Sequence, residues 1–488
     1  MTRRTHVLVA LSVLLGWTSL GLAQVPDAGP EPTPTDDPAE ATTDSTESEV
    51  PPPPGDDVVE EPAADGAEEA PSPAVVATPA PEPEPEPQGP ALGDEHELLP
   101  PGDEALAGSH PVDAADILFV PGKGLRVTSA DDRFRLEVRA RVQIAWEGTG
   151  PDGGPWGQQV RLRRARLQLA GFMFSEDVRF KMELAVSPND MGIRNNLDDE
   201  DRVATRSPLL DFYIDFTRFR DFQFRVGQYK IPSNRQRVIS SGNLQLVDRS
   251  IYNGEFTLDR DVGFDLRSKD FLGLERLRYY LGLYIARGRG ARGVDDFGMM
   301  YLSRIEYLPF GLFNDYSEVD FERVHPRLSI GAGYTHIDRA RRDRGIIGSA
   351  PADGGTTDTH HIFADAIFKW AGFSSIVELG WRQGDRIPGN AVDDMGNPIP
   401  VEDPRNGIGG NIQAGFLIPR LPLEIAGRYS FLRGIGTTSL GDANELTGGV
   451  SYYPGRHPYK VQLDYSRLWA DSIDEGGHRI RLQLQVAL

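Results

Sequence analysis

From Phe134 onward the chain alternates. Phe134, Leu136, Val138, Ala140, Val142, Ile144 and Trp146 hold the even positions, while Arg133, Arg135, Glu137, Arg139, Arg141 and Gln143 hold the odd ones. Successive side chains of a strand point to opposite faces, so this stretch predicts a strand with one apolar face and one basic face. The same period recurs in Val178/Phe180/Met182/Leu184/Val186, Leu210/Phe212/Ile214/Phe216, Leu277/Tyr279/Leu281/Leu283/Ile285, Tyr459/Val461/Leu463/Tyr465 and Ile480/Leu482/Leu484/Val486/Leu488. From residue 133 to the C-terminus about 16 such segments follow one another, most of them roughly 9–14 residues long. Soluble strands average about 5–6 residues, whereas a tilted strand crossing an outer membrane needs about 9–11. Length favours the membrane.

The connections sort by parity. Those after even-numbered segments are short: Ser175 to Asp177, Arg218 to Asp221, Ala371-Gly372, Pro419 to Leu421 and Pro454 to Pro458. Those after odd-numbered segments are longer, near 188–207, 231–259, 337–357 and 383–407, and one long even-numbered connection, near 309–325, breaks the rule. Short turns at one end, long loops at the other and an even strand count predict an all-β fold, a transmembrane antiparallel β-barrel of about 16 strands.

A closed barrel leaves no unpaired backbone in lipid. An Arg on its lipid face near the midplane costs about 2–4 kcal/mol, so the charged positions must face the lumen. That parity rule assigns Arg135, Arg139, Arg141, Arg179, Lys181 and Arg225 to the channel lining. In the second segment Val160 and Leu162 are out of phase with Ala165, Leu167 and Leu169, which predicts a bulge near Arg163-Arg164. With that bulge Arg161, Arg163 and Arg166 join the lining. A cationic stripe in a narrow passage concentrates anions, so the expected function is a water-filled pore for passive diffusion of small solutes with an anion preference. The alternative is a non-selective pore with a structural or envelope-anchoring role.

Composition then separates the rest of the chain. Of 73 Asp+Glu, 25 lie in residues 24–116, which hold no Lys or Arg; residues 117–488 keep 48 acids against 49 bases. Residues 24–116 also hold 21 of the 38 prolines and no aromatic residue, the signature of a disordered acidic spacer, with cell-wall contact as one reading of its role. Its acidity argues against nucleic acid as a partner. Arg3 and Arg4, the apolar run from Val7 to Leu22 and the small residues Gly21 and Ala23 predict a cleaved signal peptide over residues 1–23. The expected organisation is therefore signal peptide 1–23, spacer 24–116 and barrel domain 117–488, in the outer membrane of a Gram-negative-type bacterium. The chain has no cysteine, which excludes disulfides, thiolate metal sites and cysteine nucleophiles.

Several segments carry a resemblance. The Arg-rich stretch Arg161 to Arg166, Val226-Gly227-Gln228-Tyr229-Lys230-Ile231-Pro232, Asn243-Leu244-Gln245-Leu246-Val247-Asp248-Arg249-Ser250, Arg260-Asp261-Val262-Gly263 and Tyr452 to His457 occur in that order. Together they resemble the phosphate-selective porin O/P family over roughly residues 123–488. The resemblance implies a 16-stranded trimeric outer-membrane porin whose third long loop folds inward to form the constriction, with phosphate or other inorganic anions as solutes. That loop is 231–259, which makes Arg235, Arg237 and Arg249 the candidate constriction cations.

Other motifs are set aside. The glycine pattern Gly288-Arg289-Gly290-Ala291-Arg292-Gly293 is followed by a strand rather than the helix a dinucleotide site needs. His360 and His361 face opposite sides of one strand and cannot easily share an ion. Asp393, Asp394, Glu402 and Asp403 lack the spacing of a calcium loop. Neither an enzyme nor a cofactor or metal is expected.

Overall fold

A computed structural model describes residues 115–191, 207–290 and 298–488. The expected signal peptide, nearly all of the expected acidic spacer, most of the 188–207 loop and the second half of the Gly288–Gly293 pattern lie outside the described residues. A hairpin of β1 (Asp116–Val120) and β2 (Gly124–Thr128) precedes sixteen longer strands. These are β3 (Phe134–Pro151), β4 (Gly157–Met173), β5 (Ser175–Ala185), β6 (Leu209–Phe216), β7 (Gln223–Lys230), β8 (Arg260–Ser268), β9 (Leu277–Tyr284) and β10 (Met300–Tyr307). They continue as β11 (Arg327–Ala340), β12 (Thr356–Trp370), β13 (Phe373–Ile387), β14 (Gly407–Leu417), β15 (Leu423–Gly434), β16 (Ala443–Gly455), β17 (Tyr459–Trp469) and β18 (Gly476–Ala487). Each pairs antiparallel with the next, and β18 pairs with β3 from Ala487↔Arg141 to Gly477↔Pro151, so the sheet closes.

The hairpin has no counterpart in the alternation. β2 pairs Leu125–Thr128 with Arg135–Val138, the part of β3 that β18 leaves uncovered. Between them Leu488 and Ala140 exchange both backbone hydrogen bonds, at 2.8 and 3.2 Å, which fastens the C-terminus into the ladder. The bulge is where the phase change requires it. Gln143 faces Arg164 and Ile144 faces Leu162, so Arg163 is the extra residue. Val160 and Leu162 are thereby turned outward together with Leu167 and Leu169.

The barrel is inside-out relative to a soluble domain. Val142, Ile144, Val377, Leu463, Leu482 and Leu484 are exposed on the outer face, whereas Lys181, Arg382, Arg428 and Lys460 are among the most deeply buried side chains. The short connections gather at one end with the two chain ends of the barrel, and the long loops gather at the other. Exposed aromatics mark both ends of the belt: Phe134, Phe216, Trp370, Phe373 and Phe416 near the short turns, and Tyr301, Tyr334, Tyr429 and Tyr465 near the long loops. Two such girdles flanking an apolar band belong to a membrane barrel.

Candidate functional site: the lumen and its in-turned segments

Two connections enter the barrel from opposite ends. The long loop 231–259 carries two short helices, α1 (Arg235–Val238) and α2 (Ile251–Phe256). Inward side chains of the wall hold its backbone. The Glu378 carboxylate accepts from Gln236 N (2.8 Å), Lys460 Nζ donates to Leu244 O (2.8 Å), Asp464 accepts from Val247 N (3.0 Å) and Glu445 accepts from Ile251 N (2.8 Å). Ser250 caps α2 by accepting from Asn253 N. Its Tyr252 and Phe256 rest on Gly380 and Gly409, cross-strand partners on the inner face, where a Cβ would come within 2.8 and 2.7 Å of the two rings. Only glycine leaves room for that approach.

The second segment, 308–326 between β10 and β11, is the connection that breaks the short-turn rule, and it breaks it by turning into the lumen. Glu318 N donates to Asn243 O (3.0 Å), while the Glu318 carboxylate accepts from Gln245 N (2.8 Å) and Gln413 Nε2 (2.7 Å). Ile239 and Leu244 of the loop pack with Leu308 and Phe313 of the connection and with Ile367 and Ile376 of the wall. The two segments therefore meet inside the barrel, where side chains of β3, β4 and β13–β18 hold the loop.

The sequence-assigned cations fall into two groups. Arg235 is fully buried and reaches Asp315 (2.6 Å), Asp365 (2.9 Å), Glu306 (3.3 Å) and Ser329 Oγ (2.9 Å). Arg278 adds contacts to Asp315 (3.0 Å) and Glu306 (3.4 Å), and Arg304 to Glu306 (2.9 Å) and Asp365 (2.7 Å). Three guanidinium groups thus balance three carboxylates. Burial opposes ionisation of Asp315, yet Arg278 and Arg235 hold its carboxyl well below the usual carboxylate range. Arg237 pairs with Asp259, and Arg249 clamps the loop by donating to Gln236 O (2.7 Å) and Ile239 O (2.6 Å). Of the three constriction candidates, then, each is engaged in holding the in-turned loop.

The other group lines one side of the lumen. Arg139 contacts Glu137 (2.8 Å), Arg161 contacts Glu147 (3.1 Å), and Arg163 and Arg164 both reach Asp248 of the loop. Arg166 contacts Glu183 and Asp190 (each 2.6 Å), and Lys181 contacts Glu183 (3.2 Å) and Asp211 (3.5 Å). Arg141 donates to Ser240 Oγ (2.9 Å) and Ser241 Oγ (3.1 Å), lying against Gly242 where any Cβ would strike its guanidinium. Toward the short-turn end Arg135 lies over the Phe172 ring (4.9 Å), Arg179 donates to Glu176 O (2.9 Å) and Arg225 pairs with Asp215 (2.6 Å). Within β3–β5, nine cationic side chains reach the interior, from Arg135 to Lys181, against Glu137, Glu147 and Glu183 inside and Asp177 at the rim. That wall carries an excess of positive charge, while the six-charge cluster across the lumen does not.

Open space borders part of this wall. A cavity of about 540 Å³ at the short-turn end is lined by Arg139, Arg141, Arg166, Ser240, Tyr316 and Lys369, among others. His457, in the turn between β16 and β17, borders it and meets Ser317 Oγ at 2.8 Å; burial first, then the nearby Lys460 and Lys369, push its imidazole well below the ordinary histidine range. Parity could place Arg164 and Lys369 in the lumen. Nothing local in the sequence reveals Asp248, Asp315 or Glu318, whose partners lie 37 to 95 positions away.

A closed sixteen-stranded barrel with a lipid-facing belt and an in-turned loop defines an outer-membrane porin. The family model described as phosphate-selective porin O and P matches residues 137–321, from β3 into the in-turned connection. Among solved structures, the chain is similar to an anion-selective porin from Comamonas acidovorans, at 12% identity over 72% of this chain and 99% of that one, with a TM-score of 0.46. It is also similar to a loop-L8 deletion mutant of OmpT, an outer membrane protein of Vibrio cholerae, at 8% identity over 73% and 100% of the two chains, TM-score 0.45. A third is the outer membrane channel DcaP of Acinetobacter baumannii, at 12% identity over 72% and 97%, TM-score 0.43. No curated protein matches the chain.

Proposed function

We propose that this porin prefers anions and that they pass along the β3–β5 wall. The observation that carries the reading is the charge asymmetry of the lumen: nine cations reach the interior from β3–β5, and three of them, Arg139, Arg141 and Arg166, line an open cavity, whereas the cluster around Arg235 is charge-balanced. In a low-dielectric passage such an excess raises the local concentration of anions and lowers that of cations. Phosphate is one candidate solute, since paired guanidinium groups such as those of Arg163 and Arg164 suit an oxyanion. The natural assembly we propose is a homotrimer.

A second reading, a non-selective pore, draws on the pairing of most wall cations with carboxylates, which weakens their field. Zero-current potentials in a planar bilayer under a potassium chloride gradient separate the two. The anion reading predicts a potential of the chloride-selective sign. A potential near zero supports the non-selective pore, and one of the potassium-selective sign contradicts both.

A further inference from the structure

The short-turn rim of the barrel is apolar where turns are usually polar. Phe174 between β4 and β5, Phe219 between β6 and β7, Leu272 between β8 and β9, Phe310 in the connection after β10 and Leu421 between β14 and β15 are each 55–70% exposed. None lies on a strand, so the alternation that explains the lipid belt does not explain them. An exposed basic residue accompanies most of these tips: Arg133, whose Nε donates to Phe174 O at 3.4 Å, Arg218, Arg276 and Arg420. Carboxylates share the same turns. Arg218 stands 3.9 Å from Asp177, Arg220 pairs with Asp221 at 2.9 Å, and Glu275 directly precedes Arg276.

We propose that this rim is a membrane-anchoring surface embedded in the headgroup zone of the inner leaflet, with zwitterionic phospholipid as its partner. The inference rests on the outer-membrane barrel reading and fixes the depth at which the barrel sits. Distribution decides the occupant. A second copy of the chain covers one side of a barrel, whereas these tips occur on turns from β4 round to β15, next to the outward Phe216, Phe224 and Phe373 at the strand ends of the belt. A surface spread over most of the barrel's circumference fits a surrounding monolayer. The chemistry agrees: aromatic and aliphatic tips insert at the acyl boundary, guanidinium groups meet lipid phosphate, and neighbouring carboxylates meet the lipid ammonium.

The absence of native cysteine makes the test direct. Phe174→Cys, Leu272→Cys and Leu421→Cys variants of the full chain, spin-labelled and reconstituted into phosphatidylethanolamine–phosphatidylglycerol vesicles, are compared for collision with oxygen and with a water-soluble nickel chelate. Val142→Cys on the outer face of β3 serves as the lipid reference and Asp474→Cys in the exposed β17–β18 loop as the water reference. The three rim labels are expected to favour oxygen, at depths between the two references. Nickel access equal to that at Asp474→Cys overturns the proposal in favour of a rim in water, and a label shielded from both reagents overturns it in favour of a protein neighbour. If the Val142→Cys label itself reports water, the membrane-barrel reading fails instead.

Discussion

Burial separates two kinds of arginine that look alike in the sequence. Arg163 and Arg235 both fit a lumenal cation, but Arg235 is fully buried among three carboxylates, whereas Arg163 keeps some exposure and has one carboxylate partner, Asp248 of the loop. Removing one member of a buried ion cluster leaves charge uncompensated, at about 3–5 kcal/mol. Arg235→Ala should therefore lower the thermal midpoint of the folded barrel in detergent, with little change in the sign of its selectivity. Arg163→Gln, which removes the charge without setting a second carboxylate against Asp248, should move the zero-current potential toward the potassium side with a smaller fall in the midpoint. The acid limit follows from Asp315. Its folded-state carboxyl is held below the ordinary range, so its contribution is complete above the unfolded pKa of about 4 and is lost as pH falls through the lower folded value. The in-turned segments should accordingly keep their protease resistance from neutrality to about pH 4 and lose it progressively below that. These partnerships are not legible in the sequence because an inward Arg is compatible with either fate, and what decides is a carboxylate 80 or 130 positions away.

At the scale of elements, the alternation carries most of the strands. It locates the bulge near Arg163-Arg164 from a phase change alone, because one extra residue exchanges the two faces, and the register then singles out Arg163. It understates β3 and β4, which run to 18 and 17 residues, since their long-loop ends are polar on both faces and stand beyond the apolar belt. The hairpin β1–β2 escapes it for a similar reason: five-residue strands hold too few alternating positions to register. The connection 308–326 is visible as an exception in length, but its inward course depends on the apolar patch of Ile367 and Ile376, which breaks the polar character of the inner face. The loop also needs glycine where the wall comes close. Gly242→Val should displace the Arg141 guanidinium from Ser240 and Ser241, changing single-channel conductance without loss of the barrel. Gly380→Leu should overpack Tyr252 at a cost of about 1–3 kcal/mol, read as a lower thermal midpoint.

The described barrel is a cylinder whose outside is apolar and whose inside is charged, with two in-turned segments meeting in its lumen and an open cavity left beside Arg139, Arg141 and Arg166. Sealing by β18 against β3 joins the two ends of the sheet, and the sheet should survive detergent until boiled, giving a heat-dependent shift on a gel. The filling of the lumen is the part that no strand pattern announces, because it arises from two connections meeting inside. It is also the part on which function depends. Thiol reactivity tests it most directly. With no native cysteine, Arg139→Cys on the inner face of β3 and Val142→Cys on its outer face can be compared for modification by anionic and cationic methanethiosulfonates of similar size. A conducting cationic wall predicts modification at Arg139→Cys, faster with the anionic reagent, and none at Val142→Cys in a bilayer; equal rates with the two reagents, a faster cationic one, or labelling of Val142→Cys in place of Arg139→Cys would contradict it.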